Sequence, residues 1–304
     1  MMPVVTLFGP TASGKSALAL GLAEVLDGEI VNADSRQIYK GMPLITACPS
    51  AEDYARVPHH LYEFLSPDVR YSAGDYAKAA TQVIQNVQAR GKTAIVVGGT
   101  GFYLRALMEG ISPIPPISDD INAAVEAEVA EDIAAAYARL QTVDAAWAAR
   151  IQPTDAQRIA RGLAVHGATG RALSEWQQAP ASGSPFAFIK LALCPPREVL
   201  HRRIADRWQA MLEQGLLEEI RSLKEAGHAA TLPALTGLGV AELYRYFEGD
   251  LSLEQAVELG IISHRQYAKR QATWLNNQYA ADYTQQVPDT AAALAFVRAH
   301  PLAT

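Results

Sequence analysis

A complete phosphate-binding loop near the start of the chain constrains the fold more than any other feature. It reads GPTASGKS, follows the apolar run 4–8 and leads into a leucine- and alanine-rich helical pattern. Its glycines let backbone N–H groups turn inward around a phosphate, and the helix start adds positive partial charge. The chain should therefore bind a di- or triphosphate. The predicted phosphate-binding residues are Gly9, Pro10, Thr11, Ala12, Ser13, Gly14, Lys15 and Ser16.

Two residues at the end of this loop are candidates for chemistry. Lys15 supplies a full positive charge to a phosphate, and the Ser16 hydroxyl is placed to ligate Mg²⁺. We therefore expect Mg²⁺ as the cofactor, with Ser16 as its protein ligand.

The wider pattern predicts an α/β protein with a P-loop NTPase-like parallel sheet core and an inserted all-helical subdomain. Four apolar, β-branched segments are typical of strands buried on both faces: residues 3–8, 29–33, 93–97 and 187–193. Helical patterns are strongest in four stretches: residues 15–26, 75–90, 197–226 and 253–279.

Two breaks rich in proline, at 111–116 and 179–185, bracket the alanine-rich stretch 118–176, which has no convincing strand. A helical segment between linkers indicates a subdomain inserted into the core. The predicted division is a core of residues 1–115 and 185–285, a helical insertion of residues 116–180 and a C-terminal tail of residues 286–304.

Composition is that of a soluble protein that does not enter membranes. No apolar stretch approaches the ~20 residues needed to span a bilayer, and the first strand begins too early to leave room for a signal peptide. Cys48 and Cys194 lack metal-type spacing and predict free thiols, so we expect a cytoplasmic location. The net charge is −6, and residues 119–138 hold six acids without Lys or Arg. These six acids account for the whole net charge, so the rest of the chain is neutral overall. A polyanionic partner is therefore compatible with the sequence.

One candidate reaction residue and one glycine-rich segment follow predicted strands. Asp34 comes directly after the second strand, where parallel α/β sheets place functional groups, and a cap of the following helix is the less favoured alternative. The third strand ends in Gly-Gly-Thr-Gly at 98–101, where a kinase or nucleotide hydrolase commonly has a metal-holding Asp. These glycines suit either a close approach of a ligand or a tight turn.

Arginine pairs suggest anion contacts but do not establish them. Arg158 and Arg161 share one face of a helix, which is more often a solvated face than a phosphate contact. Arg203 and Arg207 share another, and they suit either the phosphate loop or a surface ion pair with Asp206 or Glu213.

Several segments together resemble the tRNA dimethylallyltransferase family, also called tRNA isopentenyltransferases. The similarity runs in order along nearly the whole chain, and DSRQ, GGTG and QRIAR carry most of its specificity. The matching segments are GPTASGKS at 9–16, NADSRQIYKGM at 32–42, VPHHL at 57–61, YSAGDYAKAA at 71–80, VVGGTGFYLRALMEG at 96–110, PTDAQRIARGLAVHGATGRALSE at 153–175, LHRRIADRWQAMLEQGLLEEI at 200–220 and RQYAKRQATWL at 265–275.

The resemblance implies transfer of a dimethylallyl group from dimethylallyl diphosphate to N6 of the adenine 3′ to the anticodon, position 37, in tRNAs that read codons beginning with U. Lys15 and the loop would then hold a diphosphate rather than ATP. Asp34 matches the residue that orients the adenine amine and takes its proton. Thr100 matches a residue near the reacting centre, and Arg207 matches an arginine that we assign to the diphosphate.

The resemblance also implies a flipped-out adenine and a helical insertion that clamps the anticodon stem-loop of tRNA. We expect the enzyme to act as a monomer. The chain departs from the family's usual pattern at Cys48 and Thr236, where a cation is common, which puts tRNA affinity in doubt. The implied tRNA contacts are Asp34, Ser35, Arg36, Gln37, Thr100, Asn122, Gln157, Arg158, Ile159, Ala160 and Arg161.

Two other activities are compatible with a phosphate-binding loop. One is an adenylate isopentenyltransferase, which prenylates AMP to form a cytokinin; the segments at 153–175 and 265–275 argue against it. The other is a small-molecule kinase, which the glycines at 98–101 disfavour. A tRNA-binding protein without catalytic activity is disfavoured by the presence of Lys15, Asp34 and Thr100.

Overall fold

The computed structural model describes residues 2–178 and 183–303. Residues 179–182, part of the second predicted linker, lie outside this range. The chain divides into two compact units, Met1–Met108 with Ser184–Thr304, and Glu109–Gly183. The second unit thus begins several residues before the start predicted for the insertion.

The first unit contains six strands, and all of their pairings are parallel. The strands are β1 Val4–Phe8, β2 Gly28–Asn32, β3 His59–His60, β4 Thr93–Gly98, β5 Phe188–Leu193 and β6 Tyr283–Gln285. Their order across the sheet is β3-β2-β4-β1-β5-β6. The four predicted strands are present to within one residue at each end. The sequence analysis missed β3 and β6, because edge strands of two and three residues are too short to show a pattern.

Helices make up most of the remaining chain. In the first unit they are α1 Lys15–Val25, α2 Pro43–Thr46, α3 Ala51–Arg56, α4 Ala73–Ala89 and α5 Gly101–Glu109, which ends at the unit boundary. The second unit has α6 Asp119–Glu131, α7 Ile133–Val143, α8 Ala145–Ala148, α9 Ala156–Thr169 and α10 Leu173–Gln178. The chain then continues in the first unit with α11 Arg197–Glu213, α12 Leu216–Glu225, α13 Val240–Glu248, α14 Leu253–Gln278, α15 Thr290–Ala299 and a 3₁₀ turn, Pro301–Ala303.

Helices cover both faces of the sheet, so its central strands are apolar on both sides. In β1, Val4 and Phe8 pack into the cluster that contains α4, α5, α11 and α14, whereas Val5 and Leu7 pack against α1 and α15. Residues 286–304, predicted as a tail, therefore include a helix that closes one face of the sheet. The prediction of a separate tail was wrong, because the apolar side of α15 has a partner only in the folded sheet.

The second unit has a hydrophobic core of its own, formed by α6, α7, α8 and α9. A buried carboxylate joins two of its short helices. Asp144 accepts hydrogen bonds from the backbone N–H of Trp147 in α8 and from the backbone N–H and hydroxyl of Ser174 in α10. These bonds satisfy donors that would otherwise be buried without a partner.

Two remaining expectations concern thiols and membranes. Cys48 and Cys194 are both free thiols, as predicted. Within the described residues, no helix combines the length and the apolar character needed to cross a bilayer.

A buried histidine joins α11 to α14. Trp208 is fully buried, and its indole N–H donates to Nδ1 of His264 at 2.9 Å. His264 is only 1% exposed. Burial lowers its pKa from 6.5 to about 3, and the nearby positive charge of Arg207 acts in the same direction. The imidazole is therefore neutral in the folded protein.

We predict that His264 makes the protein less stable as the pH falls below its unfolded pKa of 6.5. Because the folded pKa is lower than the unfolded one, protons bind the unfolded chain preferentially in this range. Acidification from pH 7 to pH 5 should cost about 2 kcal/mol through this group. Urea unfolding of the wild type and His264→Gln, followed by tryptophan fluorescence at both pH values, should show that loss only in the wild type. His166→Gln serves as the control, and an unchanged pH dependence in His264→Gln would contradict the assignment.

Candidate active site

The strand order brings three sequence-predicted segments to one edge of the sheet. Because β4 lies between β2 and β1, the carboxyl ends of these three strands are neighbours. The backbone N–H of Gly9 donates to the carbonyl of Gly98 at 3.4 Å, and that of Thr100 donates to the carbonyl of Ala33 at 3.1 Å. The phosphate loop, Asp34 and Thr100 therefore lie side by side, as expected at the ligand-binding edge of a parallel sheet.

The phosphate loop has the backbone geometry that its sequence predicts. Gly14 caps the start of α1 with φ of 96°, a left-handed conformation that favours glycine. The hydroxyl of Ser13 is buried and has no hydrogen-bond partner in the part of the chain that the structure describes, whereas Ser16 is exposed at the start of the helix. The unpartnered hydroxyl and the helix N-terminus leave the loop with donors suited to an anion.

Two arginines that are distant from the phosphate loop in sequence form hydrogen bonds with it. Arg203 donates from Nη1 to the carbonyl oxygens of Ser13 at 2.8 Å and Ala12 at 3.4 Å. Arg207 donates from Nη2 to the hydroxyl of Thr11 at 2.7 Å. Both arginines of α11 thus contact the phosphate loop, which decides between the two alternatives that their spacing left open.

Positive charge is concentrated at the loop and faces one carboxylate. Lys15 is half-buried and forms no hydrogen bond or ion pair within the described residues. Burial lowers its pKa, the Asp34 carboxylate opposes that change, and Arg207 adds to it. Burial also lowers the pKa of Arg207, to about 10, so this side chain is still charged at neutral pH.

Asp34 is 9% exposed and does not cap a helix. Its Oδ1 accepts from the backbone N–H of Arg36 at 2.9 Å in a tight turn, and the next helix begins only at Pro43. Asn32 supports the same turn by accepting from the backbone N–H of Asp34 at 2.8 Å. Oδ2 of Asp34 makes no hydrogen bond with any described residue. One carboxylate oxygen is therefore available to a ligand.

Thr100, in the segment that follows β4, contacts the turn that contains Asp34. Its hydroxyl accepts from the backbone N–H of Ser35 at 2.8 Å and donates to the Ser35 hydroxyl at 3.1 Å. Tyr267 of α14 lies within hydrogen-bonding reach of Thr100. Burial raises the pKa of Tyr267 to about 12, with a further contribution from Asp34, so its hydroxyl is neutral at physiological pH.

The glycines that flank Thr100 approach protein atoms rather than open space. A Cβ atom at Gly98 would lie 2.1 Å from the carbonyl oxygen of Ala33, and one at Gly101 would lie 2.1 Å from the ring of Trp274. Glycine is therefore required at these two positions by the packing of neighbouring segments of the chain, and the close approach of a ligand to this backbone stays a prediction.

All three predicted RNA contacts after Asp34 have partners inside the protein, and those of Ser35 are the bonds to Thr100 described above. Arg36 donates from Nη2 to the hydroxyl of Thr236 at 3.4 Å, and its Nε is buried without a partner. Gln37 is 9% exposed, and its amide nitrogen donates to the carbonyls of Thr46 and Ala47. The amide nitrogen of Gln37 thus holds the end of α2, and its contact with RNA stays a prediction.

The remaining predicted RNA contacts lie in the second unit. Gln157, Arg158 and Arg161 are exposed on α9, and the guanidinium of Arg158 lies 3.4 Å from the carboxylate of Asp155. Asn122 of α6 is half-buried, with its amide 3.5 Å from the carbonyl of Ile117. Two other residues of α9 face inward: Ile159 and Ala160.

The Ile159 prediction was wrong for the side chain. Ile159 is fully buried in the core of the second unit. Its side chain therefore points into that core, whereas those of Arg158 and Arg161 point to solvent.

Cys48 and Thr236, which stand where the family commonly has a cation, are both uncharged. Burial raises the pKa of the Cys48 thiol to about 12, so it is neutral, and its sulfur lies 3.3 Å from the Thr46 hydroxyl. Thr236 accepts from Arg36 and carries no charge itself.

The protein groups at the phosphate loop fit a magnesium ion that takes most of its ligands from the phosphate oxygens of a bound diphosphate. Within residues 2–178 and 183–303, no group of three or more His, Cys, Asp or Glu side chains could hold a metal. The exposed hydroxyl of Ser16 is available, and Mg²⁺ in such sites commonly takes few protein ligands together with phosphate oxygens and water.

The sequence analysis missed Gln271 of α14. This residue is 4% exposed, and its side-chain oxygen accepts from the backbone N–H of Thr11 at 2.8 Å. No local signal distinguishes it from any other helical glutamine, because its partners are far away in the sequence.

Arg203 should be required for tight binding of a diphosphate. Replacement with Met removes the charge that holds two carbonyls of the loop, and we expect inorganic diphosphate to bind about tenfold more weakly in calorimetry. Arg202→Met is the matched control, because Arg202 is exposed on the same helix. Equal affinities for the two variants would show that the arginine does not shape the loop.

Known proteins resemble this chain along most of its length. The family model described as IPP transferase matches residues 37–278. The tRNA dimethylallyltransferase of Parvibaculum lavamentivorans is 50% identical over 281 residues, covering 91% of this chain and 88% of the relative. The protein of the same name from Magnetococcus marinus is 43% identical over 297 residues, covering 96% and 97%.

Solved structures agree with these relatives. The full-length tRNA isopentenylpyrophosphate transferase of Bacillus halodurans superposes with a TM-score of 0.71 at 31% identity, covering 98% of this chain and 94% of that one. A eukaryotic dimethylallyltransferase described as acting on tRNA gives a TM-score of 0.76 at 28% identity, covering 90% and 70%. With a P-loop, a carboxylate and a threonine at one edge of a parallel sheet, and with relatives named tRNA dimethylallyltransferase that match nearly its full length, the chain belongs to the IPP transferase family.

Proposed function

We propose that this protein transfers the dimethylallyl group of dimethylallyl diphosphate to N6 of the adenine 3′ to the anticodon in tRNA, giving N6-(dimethylallyl)adenosine. The observation that carries this proposal is the pairing of a cationic phosphate loop with a carboxylate that has one free oxygen, at a single edge of the sheet. The family membership supports the same reaction.

The phosphate loop suits a leaving diphosphate. Lys15 supplies a charge that has no partner among the described residues, and the loop held by Arg203 and Arg207 presents the start of α1. As the bond between the prenyl carbon and the diphosphate oxygen breaks, negative charge grows on that oxygen, and fixed cations lower the barrier. Mg²⁺ held by Ser16 would offset further charge on the leaving group.

Asp34 suits the adenine amine. The lone pair of N6 is delocalised into the ring, so the amine is a weak nucleophile. The free oxygen of Asp34 accepts an N6–H, orients the amine and takes its proton as the new C–N bond forms. Thr100, held by Ser35, offers a hydroxyl beside that carboxylate.

The target adenine reaches this edge only when it leaves the anticodon stack. We assign phosphate contacts in the second unit to the exposed Arg158 and Arg161, and none to the acidic face of α6. We propose that the enzyme acts as a monomer. The tRNA substrate places the enzyme in the cytoplasm.

The direct test is mass analysis of nucleosides after incubation with Mg²⁺ and dimethylallyl diphosphate. We expect N6-(dimethylallyl)adenosine from an anticodon stem-loop with adenine at position 37, and none when guanine replaces it. Preferential prenylation of AMP would indicate an adenylate isopentenyltransferase. Protection from thermal unfolding by ATP but not by dimethylallyl diphosphate would indicate a kinase.

Replacing Asp34 with Asn should lower kcat by about 10²–10⁴-fold, the usual contribution of a general base. The amide oxygen still accepts from the Arg36 N–H, so the turn and the affinity for the stem-loop should be preserved. Single-turnover kinetics and filter binding measure the two properties. Asp250→Asn, an exposed site on the first unit, is the control, and wild-type turnover in Asp34→Asn would remove Asp34 from the base role.

Chelation of Mg²⁺ should weaken the binding of dimethylallyl diphosphate by about tenfold or more, because the bridge that the metal would form between the phosphate oxygens and the protein is then lost. Ser16→Ala should reproduce part of that loss and raise the Mg²⁺ concentration needed for half-maximal turnover. Titration of turnover with Mg²⁺ measures this, and Ser222→Ala is the control. Identical Mg²⁺ curves for Ser16→Ala and the wild type would show that Ser16 is not a ligand.

A further inference from the structure

The side-chain amide of Gln271 connects two parts of the candidate active site that belong to different strands. Its oxygen accepts from the backbone N–H of Thr11 in the phosphate loop at 2.8 Å, and its nitrogen donates to the backbone carbonyl of Gly99 at 2.8 Å. The residue is 4% exposed, so both bonds are shielded from water. A single planar amide thus joins the loop after β1 to the segment after β4.

The packing around Gly99 allows little freedom in this connection. A Cβ atom at Gly99 would lie 2.2 Å from the amide nitrogen of Gln271 and 3.1 Å from the carbonyl oxygen of Gly9. One turn later on the same face of α14, Trp274 fills the space above Gly101. Thr100 therefore sits between two glycines that both pack against one face of α14.

The same contacts show that the N–H of Thr11 is not available for phosphate. It points to Gln271, and the Thr11 hydroxyl accepts from Arg207. This first part of the loop is therefore anchored to α11 and α14, while the later residues of the loop are left to meet the ligand.

We propose that Gln271 is a positioning residue for prenyl transfer, which sets the separation between the diphosphate held by the phosphate loop and the hydroxyl of Thr100. The inference rests on the function proposed above. Gln271 does not touch the reacting atoms. It acts through the backbone of Thr11 and Gly99, and it requires an amide because one partner donates and the other accepts.

Displacement of one side of a reaction centre by about 1 Å can cost about 100-fold in rate. Gln271→Met keeps the length of the side chain and removes both hydrogen bonds, so we expect kcat to fall by about 10- to 100-fold. Arg203 and Arg207 still hold the loop in this variant. The KM for dimethylallyl diphosphate and the affinity for inorganic diphosphate should therefore change by less than about threefold.

The test compares single-turnover rates, KM values and calorimetric affinity for inorganic diphosphate in the wild type, Gln271→Met and Gln271→Glu. The Glu variant keeps the acceptor for Thr11 and places a carboxylate against the Gly99 carbonyl, so it should also lose rate. If the Met variant does not fold, the Glu variant is used to test the proposal. Gln82→Met, an exposed glutamine on α4, is the matched control and should retain the wild-type rate.

A double-mutant cycle with Thr100→Ala separates positioning from simple loss of packing. If Gln271 acts partly through Thr100, the combined loss in kcat should be at least about threefold smaller than the product of the single losses. Additive losses would overturn the proposal. So would a kcat within twofold of the wild type in the folded variants, or a rise in KM at unchanged kcat. Absence of prenyl transfer in the wild type would instead refute the proposed function.

Discussion

The position of β4 between β2 and β1 is the constraint on which the rest of the site depends. In a parallel sheet the carboxyl ends of neighbouring strands meet at one edge, so this order places the phosphate loop, Thr100 and Asp34 in a row. Backbone hydrogen bonds from Gly9 to Gly98 and from Thr100 to Ala33 continue the row beyond the strands. The chemistry therefore depends on strands separated by long stretches of sequence.

The helices behind the sheet give the phosphate loop its shape. Arg203 and Arg207 of α11 and Gln271 of α14 bond to its backbone and to the Thr11 hydroxyl. A loop held in this way does not have to reorganise as charge develops on a leaving group, and such preorganised electrostatics are usually the largest catalytic contribution. Burial lowers the pKa of Arg207 only to about 10, so the site remains cationic at neutral pH.

The segment Gly-Gly-Thr-Gly after β4 shows why a metal-holding acid is absent there. Gly98 packs against Ala33 and Gly101 against Trp274, so the turn leaves no room for a larger side chain at either position. Asp34, on the next strand, is the carboxylate of this edge. A phosphate loop is thereby combined with a potential base for an amine.

The sequence alone predicted what depends on local pattern: the phosphate loop, the strands buried on both faces and the long helices. Asp34 was also visible there, since a polar residue that directly follows an apolar strand lies at the functional edge of a parallel sheet, and Thr100 was identified by its match to the family. Only the tertiary structure decided which residues support them. The burial of Ile159, the internal bonds of Gln37, the packing of α15 and the bridge formed by Gln271 depend on partners far away in the chain. The sequence does not reveal such contacts, because a helical pattern shows that a residue faces inward but not what it meets.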